Sequence, residues 1–282
     1  MKIIRTVNAM QEFSKKARRA GKSVGFVPTM GALHAGHVSL LQKSVKENDI
    51  TILSVFVNPA QFGPKEDFKK YPRPFEKDKR FAKAENVDIM FFPSADEMYK
   101  KGFAAFVEVL RLPDGLCGQF RPGHFKGVAT VVTKLLNSVL PDRMYLGQKD
   151  AQQAVILKRM AHDLNFPVEV KILPTVREKD GLAMSSRNIY LNPQDRKKAP
   201  VIFKSLKEAR ALIRNKERSA SRIKSFIRNR ILKEHPKKID YIECVNAEDL
   251  SRSQRIKGKI LLATAVWFGK TRLIDNIAVN AE

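Results

Sequence analysis

Over roughly the first 175 positions, apolar residues alternate between short runs and helically spaced faces. Residues 22–28 form a strand-length run; residues 36–48 then set Val38, Leu41 and Val45 on one helical face, and residues 50–57 are apolar almost throughout. Such a run suits a strand buried on both sides, so this stretch reads as a βαβ unit. The pattern continues as a helix over 75–85, a strand over 87–92, a helix over 126–140, a strand over 143–146, a helix over 151–164 and a strand over 168–173. The predicted fold class is α/β, a doubly wound parallel sheet of the Rossmann-like kind. Beyond an Asp180-Gly181 turn the period changes. Ile202, Leu206, Ala209 and Ile213 share one helical face, as do Ile223, Phe226, Ile227 and Ile231, and strands follow over 239–245, 259–268 and 272–279. A smaller C-terminal α+β domain is expected, with the boundary placed between 1–175 and 176–282.

Charge sharpens this picture. Of a net +24, about half lies between Arg196 and Lys238, where sixteen Lys or Arg residues face three Glu. Because the apolar faces of the two helices are clear, the basic residues fall on the opposite faces, as on amphipathic helices with solvated exteriors. No aromatic-interleaved basic motif accompanies them, so a sequence-specific nucleic-acid partner is not expected. No apolar run approaches the roughly 20 residues needed to span a bilayer, and the polar turn soon after Met1 lacks the form of a secretory signal. Cys117 and Cys244 are too few and too distant for a disulfide framework. A cytoplasmic protein without a membrane partner is expected.

The chemistry concentrates where the strand over 22–28 runs into a helix, through Pro28-Thr29-Met30-Gly31-Ala32-Leu33-His34-Ala35-Gly36-His37. In parallel sheets ligands bind beyond the carboxyl ends of strands, and a helix N-terminus there presents N–H groups and positive dipole to a phosphate. Gly31 and Gly36 have P-loop spacing, but His37 and Val38 replace its Lys and Ser or Thr, which excludes a P-loop. Zinc would need a further nitrogen, sulfur or carboxylate ligand beside His34 and His37, and no HExxH-type Glu or nearby Cys supplies one. A nucleotide-phosphate site is favoured over a purely structural helix start.

His-x-Gly-His after a strand resembles the signature of the adenylyl-transferring superfamily that includes class I aminoacyl-tRNA synthetases, and Met184-Ser185-Ser186-Arg187 stands where that superfamily has its second, Met-Ser-rich element. Further motifs make the resemblance specific: Phe56-Val57-Asn58-Pro59-Ala60-Gln61-Phe62, Arg121-Pro122-Gly123-His124-Phe125, Gly147-Gln148-Lys149-Asp150-Ala151-Gln152-Gln153 and Asp180 through Asn188. In this order, over Pro28 to Asn188, they resemble the pantothenate synthetase family. Gln148 and Ala151 depart from it, standing where the family usually has Glu and often has an aromatic. Lys149, Asp150 and Gln153 are retained.

The resemblance implies ATP-dependent condensation of pantoate with β-alanine through pantoyl adenylate, with magnesium accompanying ATP and a homodimer as the assembly. It implies that catalysis rests on His37, His34 and Lys149, with His37 the proton donor. ATP would be held by Met30, Gly31, His34, His37, Gly147, Lys149, Asp150, Val176, Met184, Ser185, Ser186 and Arg187, the backbone near Val176 and Met184 reading adenine. Pantoate and β-alanine would be held by Gln61 and Gln153, whose carboxamides can donate and accept. Asp78 is the candidate magnesium ligand, and Arg121 and His124 could support the phosphate side. The runner-up reading is a nucleotidyltransferase of the same superfamily, and a reading of a different class is an RNA-binding module using the basic helices. Gln61 and Gln153 disfavour the first, since a nucleotide acceptor calls for aromatic stacking or more cations.

Overall fold

The computed structural model describes residues 1–64, 66–252 and 254–281. The first part of the chain runs β1 (Lys2–Ile4), α1 (Val7–Arg19), β2 (Val24–Thr29), α2 (Ala35–Glu47), β3 (Ile50–Val55), α3 (Phe75–Ala84), β4 (Ile89–Phe91), α4 (Ala95–Met98), α5 (His124–Val139), β5 (Arg143–Gly147), α6 (Ala151–Asp163) and β6 (Glu169–Leu173). Among the described residues, six parallel strands form one sheet in the order β1-β4-β3-β2-β5-β6. The chain leaves β2 toward β3 on one side and returns to β5 on the other. The reversal of strand order therefore lies between β2 and β5, where an open α/β sheet forms its ligand crevice.

Burial explains the strand assignments. Every residue of β3 is buried, the small polar Thr51 and Ser54 included, and α5 buries most of its length, including Val128, Val132, Leu135, Leu136 and Val139. The opening pair β1 and α1 is absent from the sequence reading above. In α1 the buried positions are Met10, Ser14 and Ala17, so small or polar residues stand where large apolar ones would reveal the helical period.

The chain divides into two compact units. The first comprises residues 1–110, 121–147 and 156–174; the second comprises residues 111–120 and 148–155 together with everything from Thr175 onward. The second unit contains α7 (Pro193–Lys198), α8 (Val201–Arg214), α9 (Ala220–Leu232), β7 (Lys238–Asn246), β8 (Gly258–Phe268) and β9 (Thr271–Ala281). Its three strands pair antiparallel in the order β7-β8-β9, with Gly269-Lys270 as the two-residue turn between Phe268 and Thr271. Gly269 has φ of +54°, the left-handed backbone such tight hairpins need.

The two basic helices carry the predicted faces. Ile202, Leu206, Ala209 and Ile213 of α8 and Ile223, Ile227 and Ile231 of α9 are at most 1% exposed, and they pack with Ile260, Leu262 and Val266 of β8 and Leu273 and Ile277 of β9. Each large aliphatic side chain so buried contributes about 1.5–3 kcal/mol. The opposite sheet face holds a smaller cluster of Leu116, Ala151, Val245, Leu261 and Ala263. Ala151, one of the two departures from the family pattern, is thus a packing position.

Candidate active site

In the first unit, β2 delivers the loop 30–34 to the start of α2, and its geometry is built by backbone as much as by side chains. Gly31 has φ of +84°, and a Cβ there would lie 2.9 Å from Asp78 Oδ2 and 3.0 Å from Val55 Cγ1. Both constraints require glycine. Asp78, 1% exposed, projects from α3 into this loop. Its Oδ2 accepts the Ala32 N–H and its Oδ1 the Leu33 N–H, each at 2.8 Å. Burial pushes the Asp78 carboxyl above its usual range, while the two backbone donors pull the other way.

His34 is the N-cap of α2, and its Nδ1 accepts the Gly36 N–H at 3.1 Å. His37, three residues on, accepts the His34 N–H on its own Nδ1 at 3.3 Å, which completes a capping box made from two imidazoles. A Cβ on Gly36 would lie 2.8 Å from His34 Cε1, so the glycine lets that ring fold back over the helix end. The ring centroids are 4.1 Å apart. An Nδ1 that accepts an N–H carries no proton, so in each neutral ring the proton sits on Nε2. The cap thereby selects the tautomer: each imidazole offers Nε2–H as its donor, at a helix terminus whose dipole favours anions.

At the carboxyl end of β3, Asn58 and Gln61 form a buried hub. Asn58 Nδ2 donates to Gln61 Oε1 at 3.0 Å and to the Gly127 carbonyl at 3.1 Å, and Asn58 Oδ1 accepts the Tyr99 hydroxyl at 2.6 Å. Gln61 Nε2 lies 3.0 Å from Met30 Sδ, so the carboxamide is oriented from both ends. A Cβ on Gly127 would fall 2.1 Å from the Ala60 carbonyl oxygen, which shows how closely α5 approaches this turn. Asn58 lies in the segment Phe56 to Phe62, where its type alone does not reveal the hub, because its partners Gly127 and Tyr99 are remote in sequence. His124 Nδ1 bonds the Gln61 carbonyl at 2.9 Å, and His124 Nε2 meets Arg121 at 3.0 Å. Arg121 also grips Glu66 with two nitrogens. Burial would raise the Glu66 carboxyl, but the Arg121 bonds outweigh it and hold the group below its usual range. Arg121 and His124 thus brace the Gln61 turn in this structure. Gly147 ends β5, the strand beside β2.

In the second unit, Gln148–Asp150 form one 3-10 turn, whose Gln148 and Lys149 carbonyls accept from Asn276 Nδ2 at 2.8 and 2.9 Å. Lys149 Nζ is 3.6 Å from its neighbour Asp150. Gln153 is half-buried on the first turn of α6. Gln152 beside it is spent structurally, its Oε1 accepting the Cys117 N–H and its Nε2 donating to the Leu112 and Gly115 carbonyls. Val176 and Met184 face each other across a hairpin, the Met184 N–H donating to the Val176 carbonyl at 3.0 Å. The predicted Asp180-Gly181 turn closes that hairpin, with Gly181 at φ of +95°. Ser185 caps the following 3-10 helix, its Oγ accepting the Arg187 N–H at 3.2 Å, and Asn188 ties the loop to Glu178 and the Ala183 carbonyl.

For a resident metal the geometry offers little. Among the described residues, no group of three or more His, Cys, Asp or Glu side chains converges as a metal site. Asp78, read from the sequence as the magnesium ligand, does not fit that role, because each of its oxygens already accepts a backbone N–H in a nearly closed position.

Known proteins resemble this chain along nearly all its length. The family model described as pantoate-beta-alanine ligase matches residues 2–278. A pantothenate synthetase of Caldicellulosiruptor bescii is 52% identical over 282 residues, covering 100% of both chains, and one from Thermotoga neapolitana is 52% identical over 276 residues, covering 98% of this chain and 99% of that one. The crystal structure of pantothenate synthetase from Thermus thermophilus superimposes with a TM-score of 0.91 at 42% identity, covering 98% and 99% of the two chains. The pantoate-beta-alanine ligase of Francisella tularensis, crystallised with beta-gamma ATP and beta-alanine, superimposes with a TM-score of 0.80 at 34% identity, covering 98% and 97%. With half of its residues shared over full length and the same fold, the chain belongs to the pantoate-beta-alanine ligase family.

Proposed function

We propose that this chain uses ATP to join pantoate to β-alanine in two steps. A pantoate carboxylate oxygen attacks the α-phosphorus of ATP; the bond to the β-phosphate oxygen breaks and its electron pair leaves with pyrophosphate. The amine of β-alanine then attacks the pantoyl carbonyl carbon, the bond to AMP breaks, and the amine loses a proton. Neither step needs a covalent enzyme intermediate, so the protein's task is to align anions and to stabilise charge moving onto pyrophosphate. The observation that carries this reading is the histidine capping box, which fixes two Nε2–H donors at a helix N-terminus beside the strand-order reversal.

The remaining roles follow from chemistry. Lys149 supplies a point charge for phosphate, and the guanidinium of Arg187 matches two phosphate oxygens, with Ser185 and Ser186 as hydroxyl donors. Asp150 and Gly147 serve the ribose, Met30 and Gly31 line the nucleotide loop, and the Val176 and Met184 backbone serves adenine. Gln61 and Gln153 take pantoate. Magnesium enters with ATP as part of the substrate, on phosphate oxygens, and Asp78 serves the loop instead. Incubation with ATP, Mg²⁺, pantoate and β-alanine should yield AMP and pantothenate in equal amounts; release of ADP would overturn the reading.

Gln153→Ala is expected to weaken pantoate binding while leaving ATP affinity within about twofold. Gln153 lies on the first turn of α6 and Lys149 on the 3-10 turn before it, so the two directions of recognition are separable by mutation. Loss of one neutral hydrogen bond with its partner left unpaired costs about 1–3 kcal/mol. Isothermal titration with each substrate checks this, and an equal loss for ATP would contradict the assignment.

No described helix is long and apolar enough to cross a membrane. A cytoplasmic location agrees with Cys117 and Cys244 both being buried free thiols. A homodimer is the proposed assembly. The stretch 103–110, outside any helix or strand, leaves Phe106 52% and Leu110 73% exposed, an apolar edge suited to a second copy. Light scattering should report twice the chain mass, and a monomer at micromolar concentration would refute the dimer.

A further inference from the structure

Two segments of the second unit that the proposed function directs at ATP, the Lys149 turn and the hairpin leading to Met184-Ser185-Ser186-Arg187, are both held by one dipeptide of β9. Asn276 Nδ2 donates to the Gln148 and Lys149 carbonyls at 2.8 and 2.9 Å. The adjacent Asp275 takes both terminal nitrogens of Arg177, at 2.6 and 2.9 Å. Arg177 belongs to the hairpin itself: it bridges Ala183 across it, donates to the Gly181 carbonyl at 3.1 Å, and stacks 3.5 Å from the Phe203 ring centroid. Asp275 and Asn276 are 4% and 5% exposed, so these contacts are shielded from water. Asp275 Oδ1 also accepts the Asn276 N–H at 2.7 Å, which locks the two residues to each other.

We infer that Asp275 and Asn276 are positioning residues for adenylate formation, setting the Lys149 turn and the Arg187 hairpin against each other from a single rigid strand. The inference rests on the ATP-directed roles proposed above for Lys149 and Arg187. Alternation along a strand sends neighbouring side chains to opposite faces, so two adjacent residues can hold two different segments. A bidentate Arg–carboxylate pair fixes direction as well as distance. A neutral amide with two donors on one nitrogen is the group that can satisfy two successive carbonyls of a turn. The placement of Lys149 therefore depends on a residue 127 positions later.

The test is pantoate-dependent exchange of labelled pyrophosphate into ATP, with thermal unfolding measured alongside. Asn276→Ala should lower exchange kcat about 10- to 100-fold, since a misplacement of about 1 Å at a reacting group can cost 10²-fold. The double variant Asn276→Ala, Lys149→Ala should be no slower than Lys149→Ala alone, because Asn276 acts through Lys149. Arg177→Lys, which keeps the charge and loses the fork, should show the same non-additivity with Arg187→Ala. Additive losses in both pairs, or wild-type kcat in Asn276→Ala, would overturn the inference. If Asn276→Ala does not fold, Asn276→Ser retains one donor and is read the same way. Absence of exchange in the unaltered protein would instead strike the proposed function.

Discussion

His37→Ala is expected to lower kcat for pantoate-dependent pyrophosphate exchange by about 10²- to 10³-fold, roughly 2.7–4 kcal/mol, with a smaller change in the KM for ATP. The reason is the division of labour within one ring. Nδ1 of His37 belongs to the cap, where it accepts the His34 N–H, and this leaves the proton on Nε2 to meet charge that grows as pyrophosphate departs. A donor fixed in place before reaction acts mainly in the transition state, so its loss falls on the rate more than on binding. Alanine also removes the cap, which costs about 0.5–2 kcal/mol of helix stability and lowers the unfolding midpoint. His37→Asn separates the effects. Its side-chain oxygen can still reach back to the His34 N–H, so stability should recover, while the donor at the Nε2 position is absent and exchange should stay slow. If His37→Asn regained both stability and rate, the imidazole would be a structural cap alone.

The sequence made the loop from β2 into α2 legible because strand, glycines, histidines and helix follow one another within about fifteen residues. Local order sufficed to find it, and the structure adds how it is held: the capping box of His34 and His37, the Gly36 that admits the His34 ring, and the Asp78 carboxylate behind Gly31. The strand over 50–55 was equally plain, since only the small Thr51 and Ser54 interrupt its apolar residues. The basic helices were legible for the opposite reason: sixteen cations among apolar residues at helical spacing leave no ambiguity about which face is inward.

What stayed hidden depends on contacts with backbone atoms, which carry no residue identity. Asp78 is 45 and 46 positions from the two N–H groups it accepts, and nothing in its neighbourhood, with Glu76 and Lys79 beside it, sets it apart from a surface charge. Asn276 likewise holds carbonyls 127 and 128 positions away. Helix α1 was missed because Ser14 and Ala17 occupy buried positions that a hydrophobic pattern would fill with larger residues. Gln152 and Gln153 are alike by type, and only the contacts of Gln152 with Cys117, Leu112 and Gly115 show that it is committed to structure.

Asp78 provides the second large effect, and its variants decide between holding a loop and holding magnesium. In Asp78→Ala the N–H groups of Ala32 and Leu33 lose their acceptors in a buried position; each buried donor left unsatisfied costs about 1–3 kcal/mol, so a penalty of roughly 2–6 kcal/mol arises from the two. Relief of the buried charge opposes this penalty, because burial outweighs the two backbone bonds and holds the Asp78 carboxyl above its usual range. That raised value means the carboxyl favours the fold in its protonated form and loses this contribution as pH rises through the folded-state value. Asp78→Asn keeps the shape and cannot ionise, but it turns an NH₂ toward one of the two N–H donors, so a cost of about 1–3 kcal/mol is expected from one unsatisfied donor. Either variant should lower the unfolding midpoint and slow exchange, since the loop it releases leads into His34 and His37. A magnesium ligand would behave otherwise: the midpoint without nucleotide would be unchanged, and raising Mg²⁺ would restore the rate. Thermal unfolding and exchange measured across a Mg²⁺ series separate the two, and recovery of Asp78→Asn at high Mg²⁺ would return the residue to the metal.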